Sequence, residues 1–137
     1  MNSLAGSRVI LWAAQQCDVN GLEKSLACQG CHLQIVKSFD ELRAVMERHD
    51  VDLIVARLCH SLRRPLLELL SWVRDIPSPP PVVIVADSLD VDLYLEAMRR
   101  GAFDCVGLPL NEKVLVRIMA HALEGQYVEA YAGGRGK

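Results

Sequence analysis

A chain of 137 residues with 51% hydrophobic and 23% charged side chains is of a length and composition for one soluble globular domain with a single core. Its 15 Lys and Arg against 17 Asp and Glu give a net charge of -2, which leaves no electrostatic footprint for nucleic acid, and no basic run marks a membrane surface. No apolar run approaches the ~20 residues of a membrane span, and the first residues lack a charged segment followed by an apolar run of signal-peptide length, so the expected location is the cytoplasm and the five cysteines are expected to be reduced.

Arg8 to Ala14 reads as a first strand. After a turn at Gln15–Asp18, a short helix to about Gln29 would bury Val19, Leu22 and Leu26, with Gly30 ending it. Leu33–Lys37 is a second strand. Ser38 followed by Glu41 is a capping box, and Phe39, Leu42, Val45 and Met46 give the next helix one apolar stripe. Val51–Leu58 is a fully buried central strand, although it carries Arg57 near its end, where a charge needs a partner or a task.

A helix is expected from about Pro65, with Leu66, Leu69, Leu70 and Val73 inward. Pro77–Pro81 is a stiff connector, and Val82–Ala86 a fourth strand. The helix from about Asp90 to Arg100 is expected to bury Val91, Tyr94, Leu95 and Met98, with Gly101 at its end. Phe103–Gly107 is the fifth strand. Asn111 caps a last helix that is expected to bury Leu115, Ile118, Met119 and Ala122 and to end near Glu124. The division is a domain over 1–125 and a flexible tail or linker over 126–137.

Five β–α alternations with continuously apolar strands predict an α/β fold: a doubly wound, five-stranded parallel sheet. In such sheets ligands bind beyond the carboxyl ends of the strands. The positions of interest are therefore Ala13 and Ala14, Arg57, Ala86 and Asp87, and Leu108 before Pro109.

The chain resembles the receiver domain of bacterial response regulators over roughly Arg8 to Gly125. The resemblance rests on Val51-Asp52-Leu53-Ile54-Val55 and, more specifically, on Glu96-Ala97-Met98, Gly101-Ala102-Phe103-Asp104 and the following Pro109. It implies the flavodoxin-like strand order 2-1-3-4-5 and a role in two-component signal transduction or transcription control. The family's site uses two acidic residues for Mg²⁺, a phosphoryl-accepting Asp, a Ser or Thr and a Lys. Those positions fall here on Ala13 and Ala14, Arg57, Ala86 and Leu108, and an aromatic switch position falls on Cys105. Alanine offers no oxygen to a hard cation, and a guanidinium cannot become an acyl phosphate. The resemblance is thus to a degenerate receiver, a pseudo-receiver with no phosphoacceptor, catalytic residue, cofactor or metal, and the chain is not expected to be an enzyme. Asp87 is the expected partner of Arg57, the alternative being that Arg57 extends into solvent.

Other signals have plainer readings. Cys28-Gln29-Gly30-Cys31-His32 matches a haem-attachment pattern but straddles a helix end and a glycine turn, with Cys28 expected to face the core. A redox pair, or a Zn²⁺ site with Cys17, is the alternative to inert thiols. His60 and Ser61 lack an oriented carboxylate, Arg63 and Arg64 read as a solvated first turn, and Trp12 and Trp72 as packing residues.

Two functions follow. The first is phosphorylation-independent regulation through protein–protein interaction, by a homodimer, effector domain or signalling partner, using Leu93, Ala97, Leu110, Val114 and Val116 as an exposed face. The alternative is a small-molecule or anion sensor, or an enzyme, that uses the vacated pocket with Arg57.

Overall fold

The computed structural model describes residues 6–13, 20–58 and 63–132, without the side chains of 20, 63 and 125–132. The strands form where β-branched and other apolar residues run without interruption: β1 Arg8–Ala13, β2 His32–Val36, β3 Leu53–Leu58, β4 Val82–Ala86 and β5 Asp104–Gly107. All pair in parallel, in the order β2-β1-β3-β4-β5. β3 sits at the centre and is buried along its whole length.

Five helices cover the sheet: α1 Asn20–Ala27, α2 Phe39–Arg48, α3 Arg63–Arg74, α4 Val91–Arg99 and α5 Glu112–Ala132. Alternate residues of each strand point to opposite faces. Ile10, Trp12, Ile54, Ala56 and Ile84 pack with α2, α3 and α4, while Val9, Leu11, Leu53, Val55 and Val85 pack with α1 and α5. Each large apolar side chain fully buried this way contributes about 1.5–3 kcal/mol. Trp12 lies 5.7 Å from Phe39 between ring centroids, and Phe39 lies 6.4 Å from Trp72, so both tryptophans belong to the α2–α3 layer.

The helix starts follow from their caps. Ser38 Oγ accepts the Glu41 N–H at 3.1 Å, and the Glu41 carboxylate accepts the Lys37 N–H at 2.6 Å. Asp90 Oδ1 accepts from Leu93 N–H at 2.7 Å, and Asn111 Oδ1 from Val114 N–H at 3.2 Å. Gly30, at φ +79°, and Gly101, at φ +106°, take the left-handed conformation after α1 and α4.

α3, Arg63–Arg74, carries Pro65 in its first described turn, as expected. Two expectations about helices need correction. α5 continues to Ala132 rather than ending near Glu124. One glycine, Gly125, costs a helix interior only about 1 kcal/mol, and Gln126, Glu129 and Ala130 are ready helix formers. The tail expected from 126 therefore begins as helix.

The second correction concerns α4, which is rotated from its expected setting. Leu93 and Ala97 are its buried residues, at 1% and 0% exposure, whereas Val91 is 71% and Leu95 49% exposed. Tyr94 and Met98 flank the buried pair against the core. The polar stripe Asp92, Glu96 and Arg99 repeats at i, i+4, i+7; Tyr94 stands opposite it, and the inward arc runs from Leu93 and Ala97 through Tyr94 to Met98.

Candidate functional site

The carboxyl ends of the strands converge in register. Ala13 lies beside Arg57, Arg57 beside Val85, Leu58 beside Ala86, and Ala86 beside Gly107. Strand alternation turns Arg57 to the α1–α5 face, in sequence with Leu53 and Val55. It is 7% exposed, and a buried guanidinium requires partners for its N–H groups. Nη2 donates to Asp87 Oδ1 at 2.6 Å, and Nη1 donates to the Leu58 carbonyl at 2.8 Å. The Asp87 backbone N–H donates to the same Leu58 carbonyl at 3.2 Å. One side chain thus ties the end of β3 to the first residue after β4, as the sequence suggested.

A cleft of about 400 Å³ opens over this pair between α1 and the start of α5, with Leu22, Ser25, Arg57, Val85, Leu108 and Glu112 among its walls. Its lining is mostly apolar, its cation is already bonded to Asp87, and Glu112 adds a negative charge. That chemistry does not favour an anionic ligand. Nor does the strand end fit Mg²⁺: Ala13 has no side-chain ligand atom, and Asp87 Oδ1 is already engaged by the Arg57 guanidinium, which repels a cation. Ala14 lies outside the described residues, as do Cys17, His60 and Ser61. Ala86 is buried against the α3–α4 layer, and Leu108, 37% exposed, precedes the cis-bonded Pro109.

The expected exposed face is redrawn by the rotation of α4. Leu93 and Ala97 are core residues, and Leu110 and Val116 are half-buried against the α1–α5 layer. Val114 remains exposed, and the residues that sequence reasoning assigned to the core, Val91 and Leu95, join it at the surface. The polar stripe of α4 borders Leu95 and marks it as exposed.

Cys28 is exposed rather than core-facing, because it follows the last turn of α1. The Cys31 thiol donates to the Leu26 carbonyl at 3.2 Å, and burial raises its pKa. Cys105 is buried in the α3–α4 layer; burial, then the neighbouring Asp104 charge, pushes its thiol up to about 12. Among the described residues no three His, Cys, Asp or Glu side chains gather as a metal site. No helix among them is long and apolar enough to cross a membrane.

No protein-family model matches the chain, and no curated protein matches it. Solved structures do. A response regulator from Thermotoga maritima superposes with a TM-score of 0.74 at 17% identity, covering 87% of this chain and 98% of that one. The beryllofluoride-activated NtrC4 receiver domain dimer gives 0.73 at 18% identity, with 87% and 98% covered. An atypical orphan response regulator, described as having a phosphorylation-independent regulatory mechanism, gives 0.70 at 21% identity, with 85% and 95% covered. The fold of this chain is the receiver fold of response regulators, with Arg57 near the carboxyl end of its central strand.

Proposed function

We propose that the chain is a phosphorylation-independent regulatory module that acts by binding another protein in bacterial signal transduction or transcription control. The observation that carries this reading is the Arg57–Asp87 pair, which fills the strand end and ties β3 to the loop before α4. In a receiver that loop responds to the phosphoryl group; here it is braced by groups the chain already owns. Leu89 adds a second brace: a Cβ placed on Gly107 would meet Leu89 Cβ at 3.2 Å, so the loop packs closely on β5. The likeness to a response regulator described as phosphorylation-independent supports the same reading.

The docking face of this reading is the outer side of α4 with the start of α5, through Val91, Leu95 and Val114. Its occupant is a signalling partner or an effector domain, with the 126–137 segment serving as the connection to it. The experiment is affinity capture from native extract with the unaltered chain and with Leu95→Glu, each with and without acetyl phosphate and Mg²⁺. The expected result is a partner that is lost with Leu95→Glu and indifferent to acetyl phosphate. A partner retained only after acetyl phosphate treatment overturns the reading.

A further inference from the structure

The two edges of the sheet are protected unequally. β5 is four residues long, carries Asp104 and ends in glycine, with Pro109 two residues beyond. Charge, brevity and proline are the usual means of keeping an edge strand from pairing. β2, His32-Leu33-Gln34-Ile35-Val36, has no Lys, Asp, Glu, Pro or Gly, and among the described residues it pairs only with β1.

Its hydrogen-bonding phase is fixed. The His32 N–H donates to Ser7 O at 2.7 Å, and the parallel register sets Gln34 and Val36 in the same phase toward β1. Residues of a parallel strand alternate in the side they bond to, so the N–H and C=O groups of Leu33 and Ile35 face outward. Lys37, next in that phase, has its N–H already bonded to the Glu41 carboxylate at 2.6 Å. The open groups are therefore two donors and two acceptors, disposed evenly about Gln34.

We infer that β2 pairs antiparallel with β2 of a second copy of this chain, about a twofold axis at Gln34, joining two sheets into one of ten strands. In that register Leu33 of each copy faces Ile35 of the other and exchanges both hydrogen bonds with it. A register centred on Ile35 would set Leu33 against Lys37, whose N–H is taken. The helix beside the edge has matching symmetry. Glu41, Ala44 and Arg48 of α2 line a groove next to Gln34, Ile35 and Val36. The twofold runs the two α2 helices antiparallel, which turns the acidic turn at Asp40 and Glu41 toward Arg48 of the other copy. The contact leaves the exposed side of α4 free, so it stands apart from the docking face proposed above.

The test is sedimentation of the full chain over a wide concentration range. A monomer–dimer equilibrium is expected. Gln34 is exposed, so Gln34→Lys leaves the fold intact while setting like charges opposite each other at the axis, and the dissociation constant is expected to rise about tenfold or more. Gln34→Glu does the same alone, and mixing the two variants restores a dimer containing one of each. Ile35→Pro, which removes an outward donor, abolishes the dimer with the circular dichroism spectrum retained. Leu95→Glu leaves it unchanged. A chain monomeric at every concentration, or a dimer indifferent to Gln34→Lys or dissolved by Leu95→Glu, overturns the proposal; the reading of the α4 face is judged separately, by partner capture.

Discussion

Arg57 and Asp87 lie 30 residues apart in the chain and meet at 2.6 Å, a buried guanidinium against a carboxylate one-third exposed. The asymmetry in exposure decides which half of the pair is sensitive. Removing the carboxylate leaves Arg57, whose side chain is only 8% exposed, without its ionic partner, whereas removing the arginine leaves an anion that water still reaches.

Asp87→Ala is therefore expected to cost about 2–3 kcal/mol in urea unfolding, below the ~3–5 kcal/mol of a fully buried pair because Asp87 is partly solvated. Asp87→Asn, which keeps an oxygen acceptor, is expected to cost less. A loss for Asp87→Asn as large as that for Asp87→Ala would show that the charge of Asp87, and not its oxygen acceptor, carries the contribution; no loss for Asp87→Asn would show that the charge contributes nothing.

Incubation with acetyl phosphate and Mg²⁺ is expected to leave no acid-stable, base-labile phosphoryl group on the protein. Arg57→Asp alone is not expected to restore one. It returns a carboxylate to the strand end, but Ala13 and Ala14 still supply no oxygen for the cation that the transfer requires. Intact-mass measurement after quenching in acid reads both results.

On α4, neighbouring leucines are expected to behave oppositely. Leu93→Ala opens a cavity in the core and should cost about 2–4 kcal/mol. Leu95→Ala, on the outer side, should change stability by less than about 1 kcal/mol while weakening partner capture. A large stability loss at Leu95 with none at Leu93 would return the helix to the orientation first expected from its apolar spacing.

Cys105 makes the fold alkali-sensitive. Its native thiol is held up to about 12 by burial and by Asp104, whereas an unfolded cysteine ionises near its ordinary value of about 8.5. Between those values the native state retains a proton that the unfolded chain releases, so stability falls as pH rises across that window. Cys105→Ala should flatten that part of the stability–pH curve, measured by denaturant titration at several pH values. At neutral pH, iodoacetamide should modify Cys28 before Cys31, and Cys105 only on unfolding.

The strands were legible because each is a short apolar run ended by polar or turn residues, and their order followed from the resemblance carried by Glu96 to Pro109. Ser38, Asp90 and Asn111 marked helix starts because a cap is a local event, decided by one side chain and an N–H three residues on. The setting of α4 was not legible from apolar spacing, since Val91, Leu93, Tyr94, Leu95, Ala97 and Met98 contain two overlapping stripes. The polar side chains set Leu95 outward but do not separate Val91 from Leu93, which is settled by the packing of the helix on the core. The end of α5 was misplaced for a related reason: Gly125 reads as a stop, yet its helical cost is small. Arg57 found its partner by elimination among strand ends, but its second bond, to the Leu58 carbonyl, carries no side-chain signature at all.

The aromatic contacts of the α2–α3 layer make the molecule an uneven reporter of itself. The chain has two tryptophans, and both lie in the layer joined through Phe39, with Trp12 buried and its indole N–H without a partner among the described residues. Intrinsic emission therefore watches one side of the sheet, and α1 and α5 on the other side have no tryptophan to signal their loss. A denaturation curve followed by fluorescence, laid over one followed by helical circular dichroism, becomes a direct measure of whether the two sides of this sheet melt together.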